Sequence, residues 1–263
     1  MEDAETMHPG LGPVSESELL YVQQLDIPAR ARSNSDRFVI WDVGLGAAAN
    51  ALAAINACRG IRCALHVISF DRTVEALQFG MRHLDQLPYL REYDAALGKL
   101  MREGRLHFEE GMAKVTWDLE IGDFPTLLCG PHDWPKPHAI FFDPFSPTKN
   151  PAMWTADLFA MLFRELSDTQ DCALATYSRS TMVRVALLLA GFYVGRGHPA
   201  GRKEETTIAA NRRELIGEML DQHWLERARR SDSAEPLQDS YRQAPLSDPT
   251  YLRLTAHPQF SHA

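Results

Sequence analysis

The stretch "RFVIWDVGLGAAAN", Arg37 to Asn50, decides the fold. An apolar run rich in β-formers reaches Asp42 and then meets Gly44 and Gly46. Such a run, ended by turn residues, reads as a buried strand. The segment Ala47 to Gly60 is full of strong helix formers, and Gly60 supplies a stop. A strand that delivers the chain to a glycine turn and a helix start gathers unpaired backbone N–H groups at one point. That arrangement suits a nucleotide-like ligand. The dinucleotide fingerprint G-x-G-x-x-G is not completed, because position 49 is alanine, and the P-loop motif is absent. Alone, the two glycines fit a bare strand-to-helix turn as well.

The pattern repeats outward. "IRCALHVISFD" reads as a second strand ending on Asp71. "TVEALQFGMRHL" and "LREYDAALGKLMREG" read as helices, "RLHFEEG" as a third strand and "KPHAIFFD" as a fourth. "AMWTADLFAMLFREL" is an amphipathic helix that Thr155 can cap, with an earlier start marked by Pro151. "DCALATYS" is a fifth strand, "RSTMVRVALLLAG" a helix, and "FYVGRGHP" with "RKEETTIAANR" a closing hairpin. Strand–helix alternation implies a parallel sheet covered on both faces. Seven mostly parallel strands with a terminal antiparallel hairpin resemble the class I S-adenosyl-L-methionine (SAM)-dependent methyltransferase fold, an α/β, Rossmann-like architecture. The expected organisation is a lead-in over 1–36 with a short helix capped by Ser15 and a polar linker over 29–36. The domain proper covers 37–212. A helix from Arg213 and a tail that is largely disordered or draped over the surface cover 213–263.

Acidic residues outnumber basic ones by 35 to 27 in 263 residues, for a net charge of -8, so a strongly basic nucleic-acid footprint is absent at whole-chain level. Cys58, Cys63, Cys129 and Cys172 show no CxxC pair and no zinc-like spacing, which reads as free thiols in a reducing compartment. The acidic start "MEDAETMHPGLGPVSE" is no signal peptide, and no apolar run reaches the ~18 residues of a membrane span. These features point to a cytoplasmic protein with neither membrane nor metal as partner.

Two further acids stand at strand ends. Asp71 ends the strand beside the first, where a carboxylate can accept both ribose hydroxyls of a nucleoside; a helix-capping aspartate is the plain alternative. Asp143 follows "FF" and precedes Pro144, whose ring restricts it to an extended shape. A carboxylate among aromatics is partly desolvated and so a better base; here too a turn aspartate is the alternative.

"DVGLGAAAN", "VISFD", "FFDPFSPTKNPAMWT", "LATYSRSTMVRVALLLAGF" and "GRKEETTIAA" together resemble the methyltransferase domain of the MnmC family, which modifies the wobble uridine of tRNA. The resemblance covers roughly residues 5 to 210 and its Asp-Pro-Phe…Lys-Asn-Pro-x-Met-Trp block is specific. It implies SAM as methyl donor and the anticodon wobble uridine of tRNA as acceptor, giving 5-methylaminomethyl-(2-thio)uridine. It also implies a functional link to a separate oxidase or aminomethyl-forming complex. Asp42, Gly44, Leu45, Gly46, Asn50 and Asp71 are thereby implied on the cofactor, and Asp143 at the transfer site. Lys149, Asn150, Pro151, Met153 and Trp154 match the loop that follows, with Phe145, Trp154 and Tyr177 as stacking candidates for a flipped base. The chain departs from the family at Ala48, where a third glycine is usual, and at Met112, which stands in for the acid of a Gly-Asp-Ala after the third strand. Arg179, Arg184, Arg196, Arg202, Lys203 and the run Arg227 to Arg230 are candidate phosphate contacts. Other readings are a methyltransferase of another small amine or RNA site, a degenerate binding module, and an NAD-dependent oxidoreductase without its glycine fingerprint.

Overall fold

The computed structural model describes residues 12–34, 36–200 and 204–261. Part of the lead-in that carries the family resemblance, and Arg202 and Lys203, lie outside the described residues.

The sheet has eight strands: β1 (Phe38–Val43), β2 (Ala64–Asp71), β3 (Arg105–Glu110), β4 (Ala113–Ile121), β5 (Ala139–Phe142), β6 (Ala173–Thr176), β7 (Tyr193–Gly197) and β8 (Thr206–Ala210). Their order is β3-β4-β2-β1-β5-β6-β8-β7. β4, β2, β1, β5 and β6 pair in parallel, while β3 and the β7–β8 hairpin are antiparallel. This is the class I methyltransferase architecture with one strand more than the seven read from the sequence. The additional strand is β4, "AKVTWDLEI". Gly111, at φ +59°, turns the chain straight back from β3 into it. Side chains at 113, 115 and 117 are buried, the alternation of a half-covered strand.

Around the sheet lie α1 (Pro13–Ser17), α2 (Ile27–Ser33), α3 (Ala49–Ala57), α4 (Glu75–Arg82), α5 (Asp94–Glu103), α6 (Phe124–Cys129), α7 (Ala156–Arg164), α8 (Thr181–Ala190), α9 (Gln222–Arg229) and α10 (Asp248–Thr255). β1 is buried along its whole length and sends alternate side chains to two cores. Phe38 and Ile40 meet the N-terminal helices, α3 and α5; Val39, Trp41 and Val43 meet α6 through α10. A strand covered on both faces is uniformly apolar, which is why this run was legible.

Four expectations about the ends are corrected. Ser15 lies inside α1, whose cap is Gly12, and a π-helical turn (Glu18–Gln23) continues it. Residues 29–33 of the expected polar linker belong to α2, and Arg30 donates to the His138 carbonyl at 2.7 Å. The segment after Arg213 begins as a short 3-10 turn, and its helix starts only at Gln222, where the Asp221 side chain accepts from the Trp224 amide. The tail is not a disordered strand of chain. Trp224, Leu225, Leu237, Leu254 and Phe260 are buried in the second core. The Gln259 amide bonds both the N–H and the carbonyl of Val194. The tail's polar composition hid isolated large apolar side chains that supply its burial.

Candidate active site

The register sets the site. Asp42 lies opposite Ser69 on β2 and Phe141 on β5, and Asp71 opposite Ile121 on β4. The carboxyl ends of β1, β2, β4 and β5 are therefore level, and the turns after them meet. Chain order reverses between β1 and β5, the switch point where open α/β sheets bind ligands. A cavity of about 750 Å³ sits there. Its volume falls in the range of pockets for ligands of nucleoside size.

Each strand end contributes. After β1, Gly44 at φ +101° and Gly46 at φ +53° bend the chain in a way that side chains disfavour. Ala48, at φ +62°, keeps the left-handed shape that the missing third glycine would have had, so the turn survives the departure. After β2, the Asp71 carboxylate accepts from the Gly46 N–H at 2.9 Å and from the Arg72 N–H at 2.7 Å. Each of its oxygens keeps further lone-pair capacity toward the cavity. After β4, Gly122, Asp123 and Phe124 form the wall. After β5, Asp143 faces the cavity, and the Asn50 side-chain amide donates to its Oδ2 at 2.9 Å. The two loops touch: a β-carbon built on Gly44 would stand 2.6 Å from the Asp143 carbonyl oxygen.

Tyr21 and Glu16 of the N-terminal helices close one side, with Phe145, Asn150 and Tyr177 on another. The Tyr21 ring stacks on Phe141 with centroids 4.9 Å apart. Among the described residues its buried hydroxyl has no partner within hydrogen-bond geometry, and the Asp143 carboxylate is the acceptor nearest in effect. Burial pushes its pKa well above the ordinary value, and the Asp143 carboxylate acts in the same direction. The Tyr177 hydroxyl donates to the Pro144 carbonyl at 2.9 Å and steadies the loop around Asp143. Beneath the floor, Asp42 is fully buried; desolvation pushes its pKa up to about 8, against the bond from Ser69 Oγ at 2.7 Å.

Of the residues singled out from the sequence, Gly44, Gly46, Asn50, Asp71, Asp143, Phe145, Asn150, Met153 and Tyr177 line the cavity. Asp42, Leu45, Met112, Lys149 and Trp154 do not. Asp42 and Leu45 are buried under the turn, and Lys149 is exposed on the loop beyond it. Trp154 is fully buried, donates Nε1–H to the Phe145 carbonyl at 2.8 Å and packs edge-on against Phe142, so it is core rather than a platform. Met112 lies in the β3–β4 turn, at the amino end of β4 and the far edge of the sheet from the cavity. The carboxyl end of that parallel strand carries Gly122-Asp123 instead, and Asp123 lines the cavity. Reading β4 from its alternation would have found it. Arg184 is no phosphate contact: it is buried, with Nη1 3.1 Å from Glu205 and Nη2 donating to the Thr206 carbonyl. Arg196 pairs with Glu205 and Glu218.

Among the described residues no group of three His, Cys, Asp or Glu side chains is placed to hold a metal ion, and no helix is long and apolar enough to cross a membrane.

The chain is similar to known proteins in sequence and in fold. The sequence model of a family described as S-adenosyl-L-methionine-dependent methyltransferase matches residues 91–212. The tRNA 5-methylaminomethyl-2-thiouridine biosynthesis bifunctional protein MnmC of Aeromonas salmonicida (strain A449) is 33% identical over 204 residues, 72% of this chain and 30% of that protein. Its counterpart in Burkholderia vietnamiensis (strain G4 / LMG 22486) is 32% identical over 192 residues, 69% of this chain and 28% of that protein. The chain thus spans less than a third of these curated relatives. The crystal structure of MnmC2 from Aquifex aeolicus matches the fold with a TM-score of 0.69 at 23% identity, over 97% of this chain and 78% of that one.

The cavity fits SAM on its own evidence. The bend at Gly44 and Gly46 leaves backbone within reach of a ligand, and the Asp71 carboxylate has acceptor capacity for two ribose hydroxyls. Among the described residues, Glu16, Asp71, Glu75, Asp123 and Asp143 line the cavity against one cation, Arg72, which favours a positively charged sulfonium.

Proposed function

We propose that this chain, which matches an S-adenosyl-L-methionine-dependent methyltransferase family over residues 91–212 and is similar to part of the MnmC proteins, uses SAM to methylate the primary amine of a 5-aminomethyl uridine. That nucleoside stands at the wobble position of tRNA, and the product is 5-methylaminomethyl-(2-thio)uridine. The observation that carries the reading is the contact between the Gly44 bend and Asp143, which brings a carboxylate to the turn where the cofactor binds. Gly44, Gly46 and Asp71 hold the cofactor, and Asp123 is placed for its far end. The cofactor supplies an electrophilic methyl group.

A primary amine is mostly ammonium at neutral pH and has no lone pair for attack. Asp143 takes the proton from the amine nitrogen onto a carboxylate oxygen. Asn50 holds that carboxylate in place, and Tyr21 and Pro144 fix the wall beside it, so that the freed nitrogen is oriented toward the donor. Proximity and a proton acceptor are the main contributions. Phe145, exposed at the rim, is the stacking surface for the base. A separate oxidase or aminomethyl-forming complex supplies the acceptor nucleoside, and the reaction takes place in the cytoplasm.

The acidic lining supports a second reading, a small cationic amine as acceptor. Incubating the protein with labelled SAM and either aminomethyl-bearing tRNA or a polyamine separates the two. Mass spectrometry of digested tRNA should show a methyl gained on the aminomethyl nucleoside. Label in the polyamine alone would refute the tRNA reading.

A further inference from the structure

Two short side-chain contacts tie Asp143 to the N-terminal helix. Asn50 Nδ2 donates to Asp143 Oδ2 at 2.9 Å, and Asn50 Oδ1 lies 2.5 Å from Ser17 Oγ. Ser17 Oγ also lies 2.8 Å from the Pro13 carbonyl oxygen. Ser17 is 1% exposed and Asn50 4%, so water does not take either place. Ser17 has one hydroxyl proton and two acceptors in reach, so it serves only one at a time. The two ends of an asparagine amide have nearly the same shape and exchange by a half turn.

These facts allow two bonding patterns among Ser17, Asn50 and Asp143. With Asp143 ionised, Ser17 donates to Asn50 Oδ1 and Asn50 Nδ2 donates to the carboxylate. With Asp143 protonated, the acid proton is donated to Asn50 Oδ1 in the turned amide. Asn50 Nδ2 then donates to Ser17 Oγ, and Ser17 donates to the Pro13 carbonyl. We propose that Ser17 and Asn50 are positioning residues that re-pair as Asp143 gains and loses the proton taken from the acceptor amine. The sequence places Asn50 with the cofactor loop; the contacts give it to the carboxylate. The proton passes from the amine nitrogen to an Asp143 oxygen and later to solvent. The relay rests on the reading of Asp143 as the proton acceptor, not on tRNA as the substrate.

Other groups also face Asp143. Tyr21 comes from the π-helical turn, Asp42 from β1, Asp71 from β2 and Tyr177 from the segment after β6; Glu16, Glu75, Asp123 and Arg72 share the cavity wall. Alanine at 17 removes one hydrogen bond from the ionised pattern and two from the protonated one. The protonated form is therefore disfavoured, and Asp143 should titrate lower by roughly half to one pH unit, the effect of one neutral hydrogen bond.

The test is a titration of the full chain carrying ¹³Cγ-labelled aspartate, followed by NMR, with Asp143→Asn used to identify the resonance. Ser17→Ala should move the Asp143 midpoint down by that amount while S-adenosylhomocysteine affinity stays within about twofold of wild type. Ser17→Thr, which keeps the hydroxyl, should titrate like wild type. An unmoved or raised midpoint in Ser17→Ala, or an equal shift in Ser17→Thr, overturns the relay. Absence of tRNA methylation by the wild type, with the shift present, would refute the tRNA reading and leave the relay standing.

Discussion

Gly44→Ala tests the contact on which the site depends. Gly44 sits at φ +101°, a shape that a side chain disfavours by about 1–2 kcal/mol. The new methyl carbon would lie 2.6 Å from the Asp143 carbonyl oxygen, 2.9 Å from its carbon and 3.3 Å from the Pro144 nitrogen. These are backbone atoms at the end of β5, and no flexible side chain can move aside. Forcing them apart adds about 1–3 kcal/mol of overpacking. The sum, roughly 2–5 kcal/mol, is a large share of a typical folding free energy. It should lower the melting temperature by roughly 5–15 °C for a chain of this size. Relief comes from parting the two loops, which carries Asp143 away from the cofactor turn. A displacement near 1 Å costs about 100-fold in rate. Differential scanning calorimetry and single-turnover methyl transfer measure the two effects. A variant that melts within 1–2 °C of wild type and turns over normally would refute the loop contact.

Asp143→Ala should abolish methyl transfer and leave SAM affinity within about threefold, by isothermal titration; joint loss of binding and activity would reassign the residue. Asp71→Ala removes both the ribose acceptor and the bond from the Gly46 N–H, so SAM should bind about 10- to 100-fold more weakly. Asp42 is pushed up to about 8 by burial, so its neutral form is favoured on folding. The sign follows: its contribution is complete below the unfolded carboxylate range and is lost as pH rises toward 8. The loss is at most about 1.4 kcal/mol per pH unit. Asp42→Asn should therefore flatten the fall in melting temperature between pH 5 and pH 8, and an unchanged pH dependence counts against a buried neutral acid.

What the sequence disclosed follows from how locally each feature is written. β1 is buried on both faces, and its glycine bend follows at once, so strand, turn and helix were readable together. Asp71 and Asp143 were placed because each is the last acid after an apolar run. β4 was missed because the run before it already looked like a complete strand ending in glycine. That reading carried the acid search to Met112, at the amino end of β4, whereas Asp123, which follows β4, lines the cavity. Trp154 is equally aromatic in a core or at a rim; only the Phe145 carbonyl that accepts its N–H and the ring of Phe142 decide between them. The N-terminal helices contribute Tyr21 to the cavity wall and Ser17 to the partner of Asp143, contacts across more than thirty residues that no local pattern encodes. The tail's burial rests on a few residues such as Trp224 and Phe260, scattered among polar ones.

The most direct test of the central claim is a crystal structure of the full chain with S-adenosylhomocysteine. The account predicts ribose hydroxyls on Asp71, the adenine end toward Asp123 and the sulfur turned toward Asp143. An adenosyl group bound elsewhere, or a sulfur directed away from that carboxylate, would contradict it.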